Sequence, residues 1–276
     1  MKIGIFIQSS NQELYSKNTQ IIKDYYKRAR AGLQDEFDIY SFTSNPDSSC
    51  DYSYIYDDEM LLACNDRKVG IKIYEWISNT IYLMPKYDVV VKTNATTFLN
   101  LKRLSEFCSS ELFDKDALYC SDIIAHGICR TKNGAIAESE KNASYYPNGN
   151  LHIFGYDFMK KLKKDYLISY IHLSDTLYSP KKEERDAEFG EWMWYGIPDD
   201  LVIGYVANKN GVPIKTVDNF AQLYTNGIFP QNVRSIPNLF DAIGFSCKVP
   251  QGYETRLAIE PDFIYTLTNL IENGTE

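Results

Sequence analysis

A cluster of polar side chains follows a short apolar run in this 276-residue chain. Val89–Val91 is a β-branched run of the kind that forms a buried parallel strand. The next six residues, Lys92–Thr97, read K-T-N-A-T-T and carry ammonium, amide and hydroxyl groups. Ligands of open α/β sheets bind outside the carboxyl ends of the strands. We therefore predict that a site for a polar ligand lies where this strand ends.

Two adjacent acids, Asp199 and Asp200, follow Pro198 and precede an apolar stretch. Pro198 favours the first turn of a helix, and the helix dipole stabilises carboxylates at that end. The pair therefore has two interpretations, an acidic helix cap or a general base that accepts a proton during a reaction. Two neighbouring carboxylates raise each other's pKa, which suits a base.

The elements that must position these residues alternate between strand and helix in the first half of the chain. We predict strands at residues 3–7, 37–42 and 88–91. We predict helices that end near Leu33, that span residues 58–84 and that begin at Asn100, with a loop over 43–57. A strand–helix–strand order at the N-terminus implies a parallel sheet, because such units return in the same direction.

The second half of the chain is less regular. Strands are predicted at residues 117–120, 123–129 and 212–216, and a polar hairpin or loop at 132–146. Helices are predicted at residues 156–167, 183–195, 199–210 and 262–271. The chain shows no internal repeat and no linker, so we predict a single α/β domain with a mixed sheet.

Composition restricts the classes of function. The net charge of −8 argues against a nucleic-acid partner, because neutralising phosphates requires a basic surface. The six cysteines form no C-x-x-C pair and the three histidines have no zinc-binding spacing, so we predict reduced thiols in a cytoplasmic protein without a zinc site. Residues 1–7 are predicted to form a strand, and they are too short for a signal peptide or a transmembrane segment.

The strand-end segment resembles a signature of GT-A glycosyltransferases of the β-1,3-galactosyltransferase and Fringe type, K-T-D-D-D-V-F-V-N. Four positions match without a gap: Lys92, Thr93, Phe98 and Asn100. Three others, Asn94, Ala95 and Thr96, stand where the family has acids. The segment thus keeps the frame of a sugar-nucleotide site and lacks its metal-binding carboxylates, the D-x-D motif.

Further segments resemble the same family in the expected order. They are residues 59–76 with Lys72 and Trp76, Tyr146-Pro147 with Gly155-Tyr156, Pro198–Gly204, and residues 244–248 with Arg256. The segment Pro198–Gly204, P-D-D-L-V-I-G, is the most specific, because it is similar to the family's E-D-V-x-x-G and P-D-D-x-x-x-G motifs.

The resemblance implies a GT-A, Rossmann-like fold over residues 1–276, with a nucleotide-binding half at about 1–110 and an acceptor half at about 111–276. It implies transfer of a hexose or N-acetylhexosamine from a nucleotide diphosphate sugar, UDP-linked, to a glycan or glycoconjugate hydroxyl with inversion at the anomeric carbon. We expect such an activity to serve polysaccharide biosynthesis. By resemblance Asp200 is the candidate base, and Asp199 orients it or binds the acceptor.

The resemblance also assigns the remaining site residues. The donor-binding candidates are Gln8, Ser9, Lys72, Lys92, Thr93, Asn94, Thr96, Lys248 and Arg256. The acceptor-binding candidates are His152, Phe154, Gly155, Tyr156 and Trp194. Because hard cations prefer carboxylates, we predict no metal ligands in the protein. A Mn²⁺ or Mg²⁺ ion, if used, would be held mainly by the donor diphosphate.

Two alternatives stay open. The missing acids at positions 94–96 also fit a non-catalytic relative that binds a sugar nucleotide or a glycan. A nucleotidyltransferase on a similar sheet would need a Gly-rich basic loop after the first strand, and residues 8–11, Q-S-S-N, contain neither Gly nor Lys. For the segment after the first strand, the alternative to donor binding is a structural role, because Ser9 or Ser10 could cap the first helix.

Overall fold

The computed structural model describes residues 1–45, 52–64, 69–83, 86–125, 145–177, 199–236 and 238–274. Within these ranges the strands are β1 Lys2–Gln8, β2 Glu36–Ser44, β3 Tyr54–Tyr56, β4 Glu59–Leu62, β5 Val89–Asn94, β6 Thr97–Leu99, β7 Leu118–Cys120, β8 Ile123–Ala125, β9 Tyr145–Pro147, β10 Leu151–Gly155, β11 Ile214–Thr216, β12 Phe220–Gln222 and β13 Gly244–Ser246. The helices are α1 Glu13–Ala29, α2 Val69–Leu83, α3 Leu101–Ser109, α4 Tyr156–Leu177, α5 Asp199–Lys209 and α6 Tyr253–Asn273.

Eight strands form the central sheet in the order β11-β7-β10-β5-β1-β2-β4-β3. Strand β1 pairs in parallel with β2 and β5, and β2 pairs in parallel with β4. Strand β10 runs antiparallel between β5 and β7, which makes the sheet mixed. Strands β12, β13 and β6 form a small second sheet, and β8 and β9 form a two-stranded ribbon.

The two faces of the sheet carry separate hydrophobic cores, as alternation along β1 requires. Ile3, Ile5 and Ile7 point to the face covered by α1 and α6. Phe6 points to the other face, where α2, α4 and α5 pack and where it contacts Trp76 edge-on. The chain is therefore a single mixed α/β domain whose parallel strands end at one edge, and we call this edge the carboxyl edge.

The antiparallel strand β10 also begins at the carboxyl edge. Leu151 lies opposite Thr93, near the end of β5, whereas Gly155 lies opposite Val89, at its start. The turn formed by Asn148, Gly149 and Asn150 therefore reaches the same edge as the polar segment that follows β5. Reversal of this one strand adds a loop from the second half of the chain to the strand ends of the first half.

Several predicted elements are confirmed, namely the strands β1, β2, β5, β7 and β11 and the helices α1, α3 and α5. The helix predicted at residues 58–84 is wrong in its first part, because Glu59–Leu62 pairs with β2 as a strand and the helix begins only at Val69. The loop predicted at 43–57 contains Tyr54–Tyr56. The helices predicted at 156–167 and 262–271 are longer than expected.

Strand β10 was missing from the predicted elements, although it lies in the middle of the sheet. The helix predicted at residues 183–195 and most of the hairpin or loop predicted at 132–146 lie outside the described residues. Of the helices that the structure describes, none combines the length and the hydrophobicity needed to cross a bilayer.

Candidate active site

A cleft of about 490 Å³ opens at the carboxyl edge, in the size range of small-molecule sites. It is lined by Gln8, Ser9, Ser10, Gln12, Tyr15, Val69, Lys72, Asn94, Ala95, Thr96, Asp199, Asp200, Lys248 and Arg256. These residues come from the ends of β1 and β5, the starts of α1, α2, α5 and α6, and the segment after β13. The cleft thus contains residues from both halves of the chain.

The floor of the cleft is fixed by backbone bonds between neighbouring strand ends. The Ala95 N–H donates to the Gln8 carbonyl (3.0 Å), and the Ser9 N–H donates to Phe42 (2.9 Å). Lys72, buried on α2, donates to the Ser9 carbonyl (2.7 Å). Ser9 Oγ bonds Thr19 (2.8 Å), and Gln12 is the residue at the N-cap of α1, so the alternative that Ser9 or Ser10 caps this helix is wrong.

One wall of the cleft is the start of the C-terminal helix α6. Arg256 bonds the fully buried Glu260 through Nε (2.7 Å) and Nη2 (3.2 Å), and it donates from Nη1 to the Tyr15 hydroxyl (2.9 Å). Glu260 in turn accepts from the Val249 N–H (2.8 Å) and from the Asn18 side chain (3.3 Å). This network holds a guanidinium at the cleft, a group suited to oxyanions.

A second cation, Lys248, is tied to the end of β5. The Cys247 N–H donates to the Thr96 carbonyl (2.9 Å), so the backbone next to Lys248 is fixed to the segment that the sequence identified first. The Lys248 side chain is exposed and lines the cleft. Lys248 and Arg256 therefore approach the same space from the C-terminal part of the chain.

The two acids of α5 also line the cleft. The Gly149 N–H donates to Asp200 Oδ2 (2.9 Å). A Cβ atom at Gly149 would lie 2.0 Å from Asp200 Oδ1, so only glycine permits this approach. At Gly204 a Cβ atom would lie 2.8 Å from Pro147 and Tyr146, so this second glycine lets α5 pack directly against β9.

The two acids have opposite pKa shifts. Burial, followed by the charge of Asp199, raises the pKa of Asp200 to about 7, although Lys92, the Gly149 N–H and Lys248 act against this shift. Burial also opposes ionisation of Asp199, but Lys92, whose Nζ lies 2.9 Å from Asp199 Oδ2, brings the pKa of Asp199 below its usual value. Environments that separate the pKa values of two acids are typical of acid–base sites.

Nine of the predicted site residues lie together in the cleft: Gln8, Ser9, Lys72, Asn94, Thr96, Asp199, Asp200, Lys248 and Arg256. Lys92, Thr93 and His152, in contrast, are buried and do not line the cleft. They are therefore placed to support the site rather than to contact a ligand in the cleft.

The structure does not place the acceptor-binding candidates His152, Phe154, Gly155 and Tyr156 in the cleft, and their role in acceptor binding stays a prediction. His152 is fully buried, and burial followed by the positive charge of Lys92 lowers the pKa of His152 to about 3, so the ring is neutral. Phe154 packs in the core against Phe158. Because β10 runs away from the carboxyl edge, it carries Gly155 and Tyr156 to the opposite edge of the sheet. Trp194 lies outside the described residues.

Sequence reasoning missed several cleft residues, among them Tyr15, and it missed Gly149, whose N–H donates to Asp200. Tyr15 contacts Arg256 from α1, a contact between residues 241 positions apart that no local pattern indicates. Gly149 had a local signal, because Asn148-Gly149 is a dipeptide typical of turns.

The residues at the end of β5 do not fit a tightly bound divalent cation. Asn94 offers one neutral oxygen, Ala95 offers no side-chain ligand, and Thr96 is almost fully buried. Asp199, an acid of the cleft with a lowered pKa, is already paired with Lys92. Among the described residues no group of three or more His, Cys, Asp or Glu side chains could hold a metal ion.

Comparison with solved structures relates the chain to the galactosyltransferase LgtC, determined in complex with donor and acceptor sugar analogues. The match covers 96% of this chain and 95% of that chain, with a TM-score of 0.51 and 12% sequence identity. The chain has a GT-A fold. The predicted fold class is thereby confirmed, and the cleft lies where strands of the GT-A fold end.

A glycosyltransferase involved in the glycosylation of the major capsid of PBCV-1 also matches, over 94% of this chain and 98% of that chain, at 12% identity and a TM-score of 0.47. No family model matches the chain, and no curated protein does. The relation to the β-1,3-galactosyltransferase and Fringe type therefore stays a prediction, as do the boundaries of the two halves.

Proposed function

We propose that this protein is a glycosyltransferase that moves a hexose or N-acetylhexosamine from a UDP-linked sugar to a glycan hydroxyl. One observation carries the proposal: an acid with a pKa of about 7, Asp200, lies in the same cleft as the cations Lys248 and Arg256. A reaction that joins a hydroxyl to a diphosphate-linked sugar needs a base on one side and positive charge on the other.

The cationic side of the cleft suits the diphosphate of the donor. Lys248 and Arg256 face the cleft, and the buried Glu260 fixes the position of Arg256. A guanidinium binds phosphate oxygens through paired hydrogen bonds, and the start of α6 adds the positive end of a helix dipole. Gln8, Ser9 and Asn94 supply hydrogen-bonding groups for the base and ribose on the floor of the cleft.

The acidic side suits activation of the acceptor. Asp200 removes the proton from the acceptor hydroxyl as its oxygen attacks the anomeric carbon. The bond between that carbon and the diphosphate oxygen breaks, and the nucleoside diphosphate leaves with the bonding electrons. Attack from the side opposite the leaving group inverts the anomeric centre. Asp200 afterwards releases its proton to water, and Asp199 orients it or contacts the acceptor.

The proposal includes donor binding without metal ligands from the protein, because Asn94, Ala95 and Thr96 replace the acids of the D-x-D motif. Lys248 and Arg256 offset the charge of the leaving group instead. A Mn²⁺ or Mg²⁺ ion would reach the site only with the diphosphate. A cytoplasmic location and a role in polysaccharide biosynthesis stay predictions.

The second candidate function is that of a non-catalytic protein that binds a sugar nucleotide. It is favoured by Asn94, Ala95 and Thr96, which replace the acids of the D-x-D motif. Thermal unfolding with a set of nucleotide sugars, with and without Mn²⁺, tests both functions, since a ligand that binds the native state raises Tm. We expect one UDP-sugar to raise Tm equally in Mn²⁺ and in EDTA. Strict dependence on Mn²⁺ would refute the metal-free part of the proposal.

Catalysis is tested with the same UDP-sugar by measuring release of UDP and of free or transferred sugar in EDTA. We expect Asp200→Asn to retain donor binding and to lose transfer, and Lys248→Met to weaken donor binding. Asp24→Asn, at an exposed aspartate on α1, is the control. Binding without any release of sugar by the wild type would favour the non-catalytic alternative, and near-normal transfer by Asp200→Asn would remove Asp200 as the base.

A further inference from the structure

Lys92 is a lysine in the interior of the sheet. Its side chain is 1% exposed, on β5 between the neighbouring strands β1 and β10. Its Nζ lies 2.9 Å from Asp199 Oδ2, and the Asp199 side chain is only 13% exposed. A lysine is rarely buried unless it is paired. The pair joins β5 to the first turn of α5, directly beneath the cleft.

A neutral ring lies next to Lys92 on the neighbouring strand. His152 lies across from Lys92 in the antiparallel register of β10 and β5, and it is fully buried. Burial and the charge of Lys92 keep the ring unprotonated, with a pKa of about 3. His152 therefore lies beside Lys92 without adding a charge, and Asp199 is the acid that pairs with Lys92.

We propose that Lys92 is a positioning residue, a fixed cation inside the protein that keeps Asp199 as a carboxylate and thereby sets the protonation of the neighbouring base Asp200. This role rests on the proposed function, since it concerns the base of that reaction. Lys92 acts through Asp199 and does not touch the substrate. Lys92, which aligns with the lysine before the D-x-D motif of the family that the chain resembles, thus supplies an internal positive charge in this protein.

The charges around Asp200 come from several elements. Asp199 on α5 raises the pKa of Asp200, while Lys92 on β5, the Gly149 N–H and Lys248 after β13 lower it. Two further titratable groups face it, the buried Tyr166 on α4 and Cys120 on β7, and both are neutral because burial raises their pKa. Asp199 and Lys92 are therefore the pair whose removal changes the charge next to Asp200 most directly.

Removal of each partner has an opposite effect. Without Lys92 the two acids have lost a positive neighbour, so the second carboxyl of the pair ionises at a higher pH. Without the charge of Asp199, Asp200 has lost a like charge and keeps Lys92, so it ionises at a lower pH. An opposite charge within hydrogen-bonding range changes a carboxyl pKa by roughly one to three units.

The test is a pH titration of the aspartate carboxyl carbons by NMR, together with the pH profile of kcat/KM, in the full chain. We expect the wild type to show a carboxyl that titrates near pH 7. Lys92→Met should move this titration and the acid limb of the profile up by about one unit or more, and Asp199→Asn should move both down. Lys23→Met, which breaks a buried ion pair with Asp58 elsewhere, should move neither.

If Lys92→Met does not fold, Asp199→Asn and the double variant Lys92→Met/Asp199→Asn, which leaves no unpaired charge, still test the proposal. Asp200 should titrate lowest in the single variant Asp199→Asn, because only that variant leaves Lys92 unpaired. An upward shift in Asp199→Asn, or an unchanged titration in Lys92→Met, would overturn the inference. The expected shifts in a protein that transfers no sugar would refute the proposed function alone.

Discussion

Replacement of Asp200 by asparagine should stabilise the protein at neutral pH while it removes the base. A carboxyl whose folded pKa is raised binds its proton more tightly in the folded state than in the unfolded state. Its contribution to stability is therefore complete below the unfolded pKa and is lost as the pH rises towards the folded pKa. Asp200→Asn mimics the protonated acid, and its amide oxygen can still accept from Gly149.

The size of the effect follows from the pKa of Asp200. The interval between the ordinary aspartate pKa of 3.8 and the pKa of about 7 for Asp200 is roughly three pH units. At about 1.36 kcal/mol per unit, this corresponds to about 4 kcal/mol when the carboxyl is fully ionised. Imperfect accommodation of the amide reduces the gain, so we expect Asp200→Asn to raise the free energy of unfolding by about 2–4 kcal/mol at pH 8.

The assay is urea unfolding of the wild type and Asp200→Asn at several pH values from 4 to 8, with Asp24→Asn as the matched exposed control. The difference between wild type and Asp200→Asn isolates the contribution of this one carboxyl. It should grow with pH across this range, and at pH 8 it should exceed the difference between wild type and Asp24→Asn. A pH-independent difference, or a variant less stable than the wild type at pH 8, would refute the assignment of a raised pKa.

Two further predictions concern the groups that hold the site. Gly149→Ala should displace Asp200, since the added carbon would lie 2.0 Å from Asp200 Oδ1. We expect kcat to fall by about a hundredfold with little change in donor affinity. Unchanged kinetics would show that the turn adapts. Glu260→Gln should leave the charge of Arg256 partly uncompensated and cost about 3 kcal/mol or more, measured by urea unfolding, together with weaker donor binding by calorimetry. Normal stability of Glu260→Gln would contradict the network described at α6.

The sequence predicted the parts of the fold that local patterns determine. The apolar run of β5, the polar segment after it and the acids after Pro198 follow local rules of strand burial and helix initiation. Strand β10 escaped prediction because the resemblance assigned His152, Phe154 and Gly155 to acceptor binding, and because the place of this strand depends on pairing with β5 and β7. Pairing of that kind is decided by tertiary contacts.

The roles of charged residues were harder to predict than their location. Lys92 was expected to bind the donor, because the resemblance places it in the strand-end signature of a sugar-nucleotide site. In the structure β5 extends to Asn94, and Lys92 is buried on this strand, next to His152 on the neighbouring strand β10. Lys248 and Arg256 were found through the resemblance, and their cleft position depends on contacts across more than 150 positions of the chain.

The hydrogen bonds between α1 and α6 determine when the site can exist during synthesis. Asn18 and Glu260 are 242 positions apart, and Arg256 reaches Tyr15 only when α6 is docked. A ribosome that has made the first half of this protein has therefore produced the floor of the cleft without its guanidinium. Since such distant contacts close slowly, a growing chain should gain affinity for the nucleotide only after residues 256–260 have been made and α6 has docked.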